Sequence, residues 1–408
     1  MRVMDPYRLY LGWTLIDALA RSMIYAVVGV YYVQSVGLNP LQLVLVGTVL
    51  EGTVFLFEVP TGVIADAVSR KLSIVVGVAL VGLCFIIQGT LPVFAAILAA
   101  EVIRGVGETC LSGASEAWLA DELGDERFPV ALARAGQMGV VGGVLGIGLG
   151  PLLAATWGLR WPVTIGGVAL TVVAAALAIT MPERGFVPRR HGGREAWVSL
   201  GHTFASGLKQ ARRQPVILWL LGVSFFTGAY SEGVDRLWEA HILRGYTFPL
   251  VDRWPPVIWF GVIRAISMGA SLLAGEVVVR HLAQHRPPAL ARVLIAVNSL
   301  ISGCVLLLAF APTFGLAAAA VVARSFLGRL HHVLYATWLN RGLPSQVRAT
   351  VFSMSGQMDA FGQFAGGPFV GWIGTARSLR AALTASALIL SPVAGLLAGA
   401  WRRSGAEG

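Results

Sequence analysis

Long apolar runs recur along the whole of this chain, separated by short breaks that carry charge, proline or glycine. A helix that crosses a bilayer needs about 20 mostly apolar residues. In hydrocarbon every backbone N–H and C=O must be satisfied internally, so runs of that length fold as helices. They predict twelve spans, near 9–33, 41–64, 72–92, 93–118, 129–154, 161–181, 215–241, 256–279, 290–311, 313–339, 349–373 and 379–401. Only 13% of the residues are charged, against roughly 25% in a soluble domain. The chain therefore reads as an all-α, lipid-embedded protein rather than as two or three soluble domains. The first run follows a stub with Arg2, Asp5 and Arg8, is too long for a signal-peptide core and precedes no small-residue cleavage site. It is expected to stay as the first span.

The longest break, 182–214, is basic and contains Pro188, Gly192 and Gly193. It divides the chain into an N-terminal six-span half at 1–181, a linker at 182–214 and a C-terminal six-span half at 215–408. With the N-terminus inside, the cytoplasmic segments hold 19 Lys and Arg residues and the outer loops hold 5. Cytoplasmic loops carry the excess of basic residues, so both termini and the linker are predicted to be cytoplasmic, in the cytoplasmic (plasma or inner) membrane. The formal net charge of +10 is then a topology signal, and no nucleic acid partner is needed to explain it. Within the linker, Trp197, Leu200, Phe204 and Leu208 recur at helical spacing among Arg194, Lys209, Arg212 and Arg213. That pattern suits an amphipathic helix on the inner leaflet or a strut joining the halves.

A shift of 220 residues brings the halves into register. Arg104 falls on Arg324, Ala117-Trp118-Leu119 on Thr337-Trp338-Leu339, and Gly136-Gln137-Met138 on Gly356-Gln357-Met358. Gly142 falls on Gly362 and Gly146 on Gly366. Six spans return each half to the same side, which predicts a parallel repeat about an axis along the membrane normal, with a site between the halves.

At the cytoplasmic end of span two stands Gly62-Val63-Ile64-Ala65-Asp66-Ala67-Val68-Ser69-Arg70-Lys71. It resembles the loop motif of the major facilitator superfamily: a glycine, an aspartate four on, then a basic pair. Gly142, Gly146, Gly150 and Pro151 in span five are similar to the glycine-proline motif of that superfamily's antiporters. Arg104 stands where its proton-coupled members keep an arginine. Ser69 departs from the usual loop glycine, and Leu152 and Leu153 replace a trailing glycine pair. The resemblance covers essentially the whole chain and implies the major facilitator fold of two pseudo-symmetric six-helix bundles. The nearest likeness is to the twelve-span drug-efflux group that includes tetracycline and macrolide exporters.

Asp66, Arg70 and Lys71 are expected to form a latch that bridges helix ends in one rocking state, with Gly62 admitting a close neighbour; the alternative is a positive-inside anchor. Gly142, Gly146 and Gly150 make one smooth face for close helix packing, and Pro151 is expected to end or bend the helix. A charge near the bilayer centre costs roughly 2.5–3.5 kcal/mol, so charges within spans should pair or face a wet cavity. Asp17 and Arg21 can pair along span one. Glu101, Arg104 and Glu108 share one face of span four and are the first candidates for proton coupling, with Asp17 and Glu51 next. A carboxylate that loses its arginine partner in a dry site takes up a proton more readily; the alternative is a static salt-bridge triad. Arg21, Glu232, Asp235, Arg236, Arg324 and Asp359 are candidates for the substrate cavity. Glu232 through Glu239 form an external gate or a solvated helix end, and His331 and His332 a pH-sensing pair or interface histidines. Tyr31, Tyr32, Trp157, Trp161 and Trp254 fall at predicted outer boundaries and suit an aromatic belt.

Cys84, Cys110 and Cys304 lie in apolar runs without metal-ligand spacing and read as small hydrophobes. No Walker A loop, HExxH or nucleophile elbow occurs, so neither an enzyme nor a resident cofactor or metal is expected. The sequence predicts a monomeric secondary transporter that exports a small amphipathic molecule against protons. A symporter or facilitator importing a metabolite is the first alternative, and a membrane receptor or scaffold the second.

Overall fold

The computed structural model describes residues 4–188, 215–250, 253–277, 287–342 and 345–404. The amphipathic helix expected at 197–208 lies outside the described residues. Among the described residues every regular element is a helix. In chain order they are α1 (Pro6–Tyr25), α2 (Val28–Tyr31), a π turn (Tyr32–Val36), α3 (Pro40–Ala67), α4 (Arg70–Thr90), α5 (Phe94–Leu111), α6 (Ala114–Trp157) and α7 (Arg160–Thr180). There follow α8 (Pro215–Gly245), α9 (Pro256–Val277), α10 (Pro287–Phe310), α11 (Phe314–Gly342), α12 (Ser345–Ala376), α13 (Leu379–Leu390) and α14 (Pro392–Ser404).

The boundaries follow from local chemistry. Asn39 and Gln42 cap α3 reciprocally, each side-chain oxygen accepting the other residue's backbone N–H at 2.9 and 3.0 Å, a capping box ahead of Pro40 at the first helical position. Ser69 caps α4 by accepting the Leu72 N–H at 2.9 Å. Gly124, at φ 71° and ψ 169°, breaks α6 into a short first segment and a long second one. The last predicted span is interrupted between α13 and α14, where Pro392 lacks the N–H that would continue the ladder.

Among the described residues nine helices are long and apolar enough to cross a membrane. One of these runs, the 64 residues Phe94–Trp157, covers two predicted spans. The predicted spans at 313–339 and 349–373 fall within α11 and α12, of 29 and 32 residues. These two are long enough but less apolar, because α11 carries Arg324, Arg329, His331 and His332 and α12 carries Asp359 together with Gln357, Gln363, Pro368 and several glycines.

Contacts divide the chain into two compact units. The first holds Met1–Leu38, Val49–Val198 and Asp252–Gly261, and the second Asn39–Thr48, Ser199–Val251 and Val262–Gly408. In the first, α1 packs on α6 and α7, and α4 on α5 and α7. In the second, α8 packs on α12, α13 and α14, while α10 packs on α11, α13 and α14. The internal plan of the two units is thus the same, α1 answering to α8, α4 to α10, α5 to α11 and α6 to α12.

Candidate functional site

In the first unit Arg21 of α1 donates from Nε to Asp17 Oδ1 at 3.0 Å and from Nη1 to Glu108 Oε1 of α5 at 2.5 Å. One guanidinium therefore holds carboxylates from two helices. The side chains of Arg21, Asp17 and Glu108 keep 18%, 24% and 31% of their surface exposed, so all three are only partly covered by protein.

Two turns away on α5 lies a dry cluster. Arg104 donates to Glu101 Oε2 at 2.7 Å and to Tyr25 Oη at 2.6 Å, and its guanidinium lies over the rings of Tyr25 and Phe85. Gln88 Nε2 donates to Glu101 Oε1 at 2.8 Å. Tyr32 Oη donates to Gln88 Oε1 at 2.8 Å and Tyr31 Oη to the Gln88 carbonyl at 2.7 Å. Glu101 and Arg104 are only 1% and 4% exposed. The face that sequence spacing joins into one triad is therefore divided, with Glu101 and Arg104 in a sealed network and Glu108 in a part-exposed one with Arg21. The aromatic-belt expectation for Tyr31 and Tyr32 is corrected as well. Both rings are buried because their hydroxyls satisfy the buried Gln88, and a buried amide needs such partners. Trp157, Trp161 and Trp254 are exposed. Glu51 lies half-buried on α3.

At the loop between α3 and α4, Arg70 is buried. It donates to the Ala117 carbonyl at 3.0 Å, pairs with Asp121 of α6, and makes a longer contact of 3.4 Å with Asp66. Ser69 Oγ donates to Glu183 Oε2 at 2.7 Å, and the Lys71 backbone N–H to Glu183 Oε1 at 2.9 Å. Trp118 Nε1 bonds the Pro182 carbonyl at 2.8 Å. The start of the linker is thus tied to the ends of α4 and α6. Asp121 and Glu183 were not singled out from the sequence; both are ordinary surface acids until the fold brings Arg70 and Ser69 to them. Gly62 is a correction. Among the described residues no atom beyond its own stretch of helix lies within 4 Å of the place its Cβ would take, so no close neighbour accounts for this glycine.

The glycine stripe of α6 faces backbone. A Cβ on Gly142 would meet the Leu15 carbonyl, one on Gly146 the Leu19 carbonyl, and one on Gly150 the Met23 carbonyl, all on α1. The second unit repeats this seam, Gly362 meeting the Phe225 carbonyl and Gly366 the Ala229 backbone on α8. Two rungs are exchanged between helices. Gly139 of α6 faces Thr14 of α1, while its repeat position holds Asp359, whose carbonyl is met by Gly228 of α8. Gly150 faces Met23, while its repeat position holds Val370, which is met by Gly233. Pro151 does not end the helix, since α6 runs on to Trp157.

In the second unit Arg236 Nε donates to Glu232 Oε1 at 2.9 Å. A Cβ on Gly47 of α3 would collide with both side chains, so that glycine, absent from the sequence-based candidates, makes room for the pair. Arg264 of α9 donates to Glu239 Oε1 at 2.6 Å. Arg324 pairs with Asp235 and donates to Tyr230 Oη at 3.1 Å. Glu232 and Glu239 are buried and α8 continues to Gly245, so these acids do not form a solvated helix end. Asp359 Oδ2 accepts from Gln363 Nε2 at 2.8 Å.

These features meet a family comparison. The model of the Major Facilitator Superfamily matches residues 11–367. The chain is 23% identical over 369 residues to YxaM of Bacillus subtilis (strain 168), described as an uncharacterized MFS-type transporter, covering 90% of this chain and 89% of that one. Among solved structures, a point mutant of the nucleoside transporter NupG superposes with a TM-score of 0.78 at 13% identity, over 98% of this chain and 100% of that one. A bacterial homologue of the human lysosomal transporter Spinster, inward-facing and occupied, gives 0.73 at 15% identity over 98% of each chain. A POT family transporter in complex with 5-aminolevulinic acid gives 0.74 at 8% identity, over 98% and 96%. The chain belongs to the major facilitator superfamily and is an integral membrane transporter with that fold.

Proposed function

We propose that this chain is a proton-coupled secondary transporter that exports a small amphipathic molecule across the cytoplasmic membrane by alternating access. In this reading twelve spans form two six-helix halves, both termini are cytoplasmic and the chain acts as a monomer. The observation that supports it best is Arg21 holding Asp17 and Glu108 from two helices at part-exposed positions. A carboxylate shared in this way is ionised while Arg21 is near and binds a proton when helix movement takes the guanidinium away. Glu101 and Arg104, sealed by Gln88 and Tyr25, serve as the rigid floor beneath it. The membrane potential supplies about 2.3 kcal/mol per unit charge per 100 mV, enough for one proton to sustain a modest export gradient. The Asp66, Arg70 and Asp121 cluster acts as a latch on the cytoplasmic side.

A second reading is import of a metabolite, since solved structures of the same fold include nucleoside and peptide transporters. A susceptibility panel with and without the expressed protein identifies a cargo, and its flux is then followed in everted membrane vesicles. The export reading predicts accumulation that collapses when an ionophore dissipates the proton gradient. Flux indifferent to the ionophore rules out proton coupling, and accumulation confined to right-side-out vesicles favours import.

A further inference from the structure

Within the second unit, α8, α11 and α12 line a partly open cavity of about 370 Å³. That is the size of a small-molecule pocket rather than a packing defect. Its polar lining is incompletely satisfied. Tyr335 Oη donates to the Leu220 carbonyl at 2.9 Å, and Ser224 Oγ lies 2.5 Å from Ser355 Oγ and 3.3 Å from Tyr335 Oη. His331, 7% exposed, stacks on Tyr335 with ring centroids 5.7 Å apart and an interplanar angle of 12°. Yet among the described residues His331 Nε2 and Thr227 Oγ1, both on the cavity wall, are buried without a hydrogen-bond partner. Buried polar atoms are normally paired, and each exception calls for an explanation.

Among the described residues, Asp359 lines the cavity beside His331 and His332, and no lysine or arginine does. Among the described residues no cationic side chain forms an ion pair with this carboxylate, in contrast to Asp17, Glu101, Glu108, Glu232, Asp235 and Glu239. His332 also borders the cavity and is exposed. Asp359 occupies the repeat position of Gly139, and Gly228 clears the space its backbone needs. The second unit thus carries a carboxylate where the first has only a packing glycine. An intramembrane carboxylate without a protein cation is a site for a ligand cation or a proton.

We propose that this cavity binds a small organic cation, an amine with an aryl or alkyl body, whose ammonium pairs with Asp359 while its body lies along the His331–Tyr335 stack. His331 Nε2 and Thr227 Oγ1 then bond N–H or O–H groups of the same molecule. The inference rests on the transporter reading, because it takes the occupant to be cargo. The binding measurement needs no gradient, so a failure of proton coupling leaves it standing.

The test uses the full chain in lipid nanodiscs with radiolabelled 2-phenylethylamine, and 2-phenylethanol and phenylacetate as neutral and anionic competitors of the same shape. Saturable binding is expected, displaced by unlabelled amine at least tenfold more effectively than by the alcohol or the acid. Asp359→Asn should weaken it at least tenfold. Gly356→Leu should block it by filling the cavity, since Gly356 lines it and, among the described residues, nothing beyond its own helix backbone stands within 4 Å of a Cβ there. Melting curves matching the parent chain exclude misfolding of the variants, and the competitor ranking in the parent chain stands without them. Non-saturable binding, equal displacement by all three compounds, or unchanged binding in a normally folded Gly356→Leu protein would overturn the assignment.

Discussion

Replacing Gly146 by alanine is the sharpest perturbation of the α1–α6 seam. The added Cβ would meet the Leu19 carbonyl, with the Met23 nitrogen at 2.8 Å and Ser22 Cβ at 2.9 Å. Two of these three atoms are backbone, so no rotamer change relieves the clash and the helices must part. A gap of about 0.5–1 Å forfeits a quarter to a half of each dispersion contact along the interface, and such overpacking costs about 1–3 kcal/mol. Gly142→Ala meets the Leu15 carbonyl and the Leu19 nitrogen at 3.0 Å and should cost a similar amount. The double variant should cost less than the sum, because one displacement relieves both clashes. Gly148→Ala is the control, with nothing within 4 Å of its Cβ and a better helix former in place of glycine. Reversible unfolding of the purified protein in mixed micelles reads these differences as midpoint shifts. A Gly146→Ala protein as stable as Gly148→Ala would refute the seam, and so would strict additivity of the pair.

Four further outcomes follow from the same geometry. Asp121→Asn should reduce stability and transport more than Asp66→Asn, because Asp66 is 48% exposed and 3.4 Å from Arg70, a contact worth about 0–1 kcal/mol; equal effects in stability and flux assays would speak against the order. Asp66→Asn with wholly normal flux in a folded protein would remove Asp66 from the latch. Glu101→Gln should destabilise by about 3–5 kcal/mol, since it strands Arg104 as a buried charge, whereas Glu108→Gln leaves Arg21 with Asp17 and should cost far less; the same unfolding assay compares them. Ser69→Ala should cost about 1 kcal/mol through loss of the α4 cap, and a protein of parental stability would contradict that role.

The helices were legible because hydrocarbon admits little else for long apolar runs, and the repeat was legible where it preserved identities such as Arg104 with Arg324. The structural repeat in the first helix of each unit runs at a different offset, Leu15 answering to Phe225, and keeps little more than the short identity of Leu11-Gly12 with Leu221-Gly222 to betray it. For that reason the equivalence of Tyr25 and Asp235, each bonded to the repeat arginine of its unit, was invisible in the sequence. Spacing on α5 put Glu101, Arg104 and Glu108 on one face, but partners on other helices decide what each does. Gln88 draws Glu101 into a buried network and Arg21 draws Glu108 into a part-exposed one. Gly47, Glu183 and Gly228 matter only through residues distant in sequence, and no local pattern marks them.

The most direct test of the account compares two kinds of flux through Glu108→Gln in proteoliposomes, with the cargo found in the susceptibility panel. If Glu108 takes up the proton when Arg21 moves away, the variant loses accumulation driven by a proton gradient but keeps counterflow of the same cargo, which needs no net proton movement. Gradient-driven accumulation at the parental rate in Glu108→Gln would contradict it.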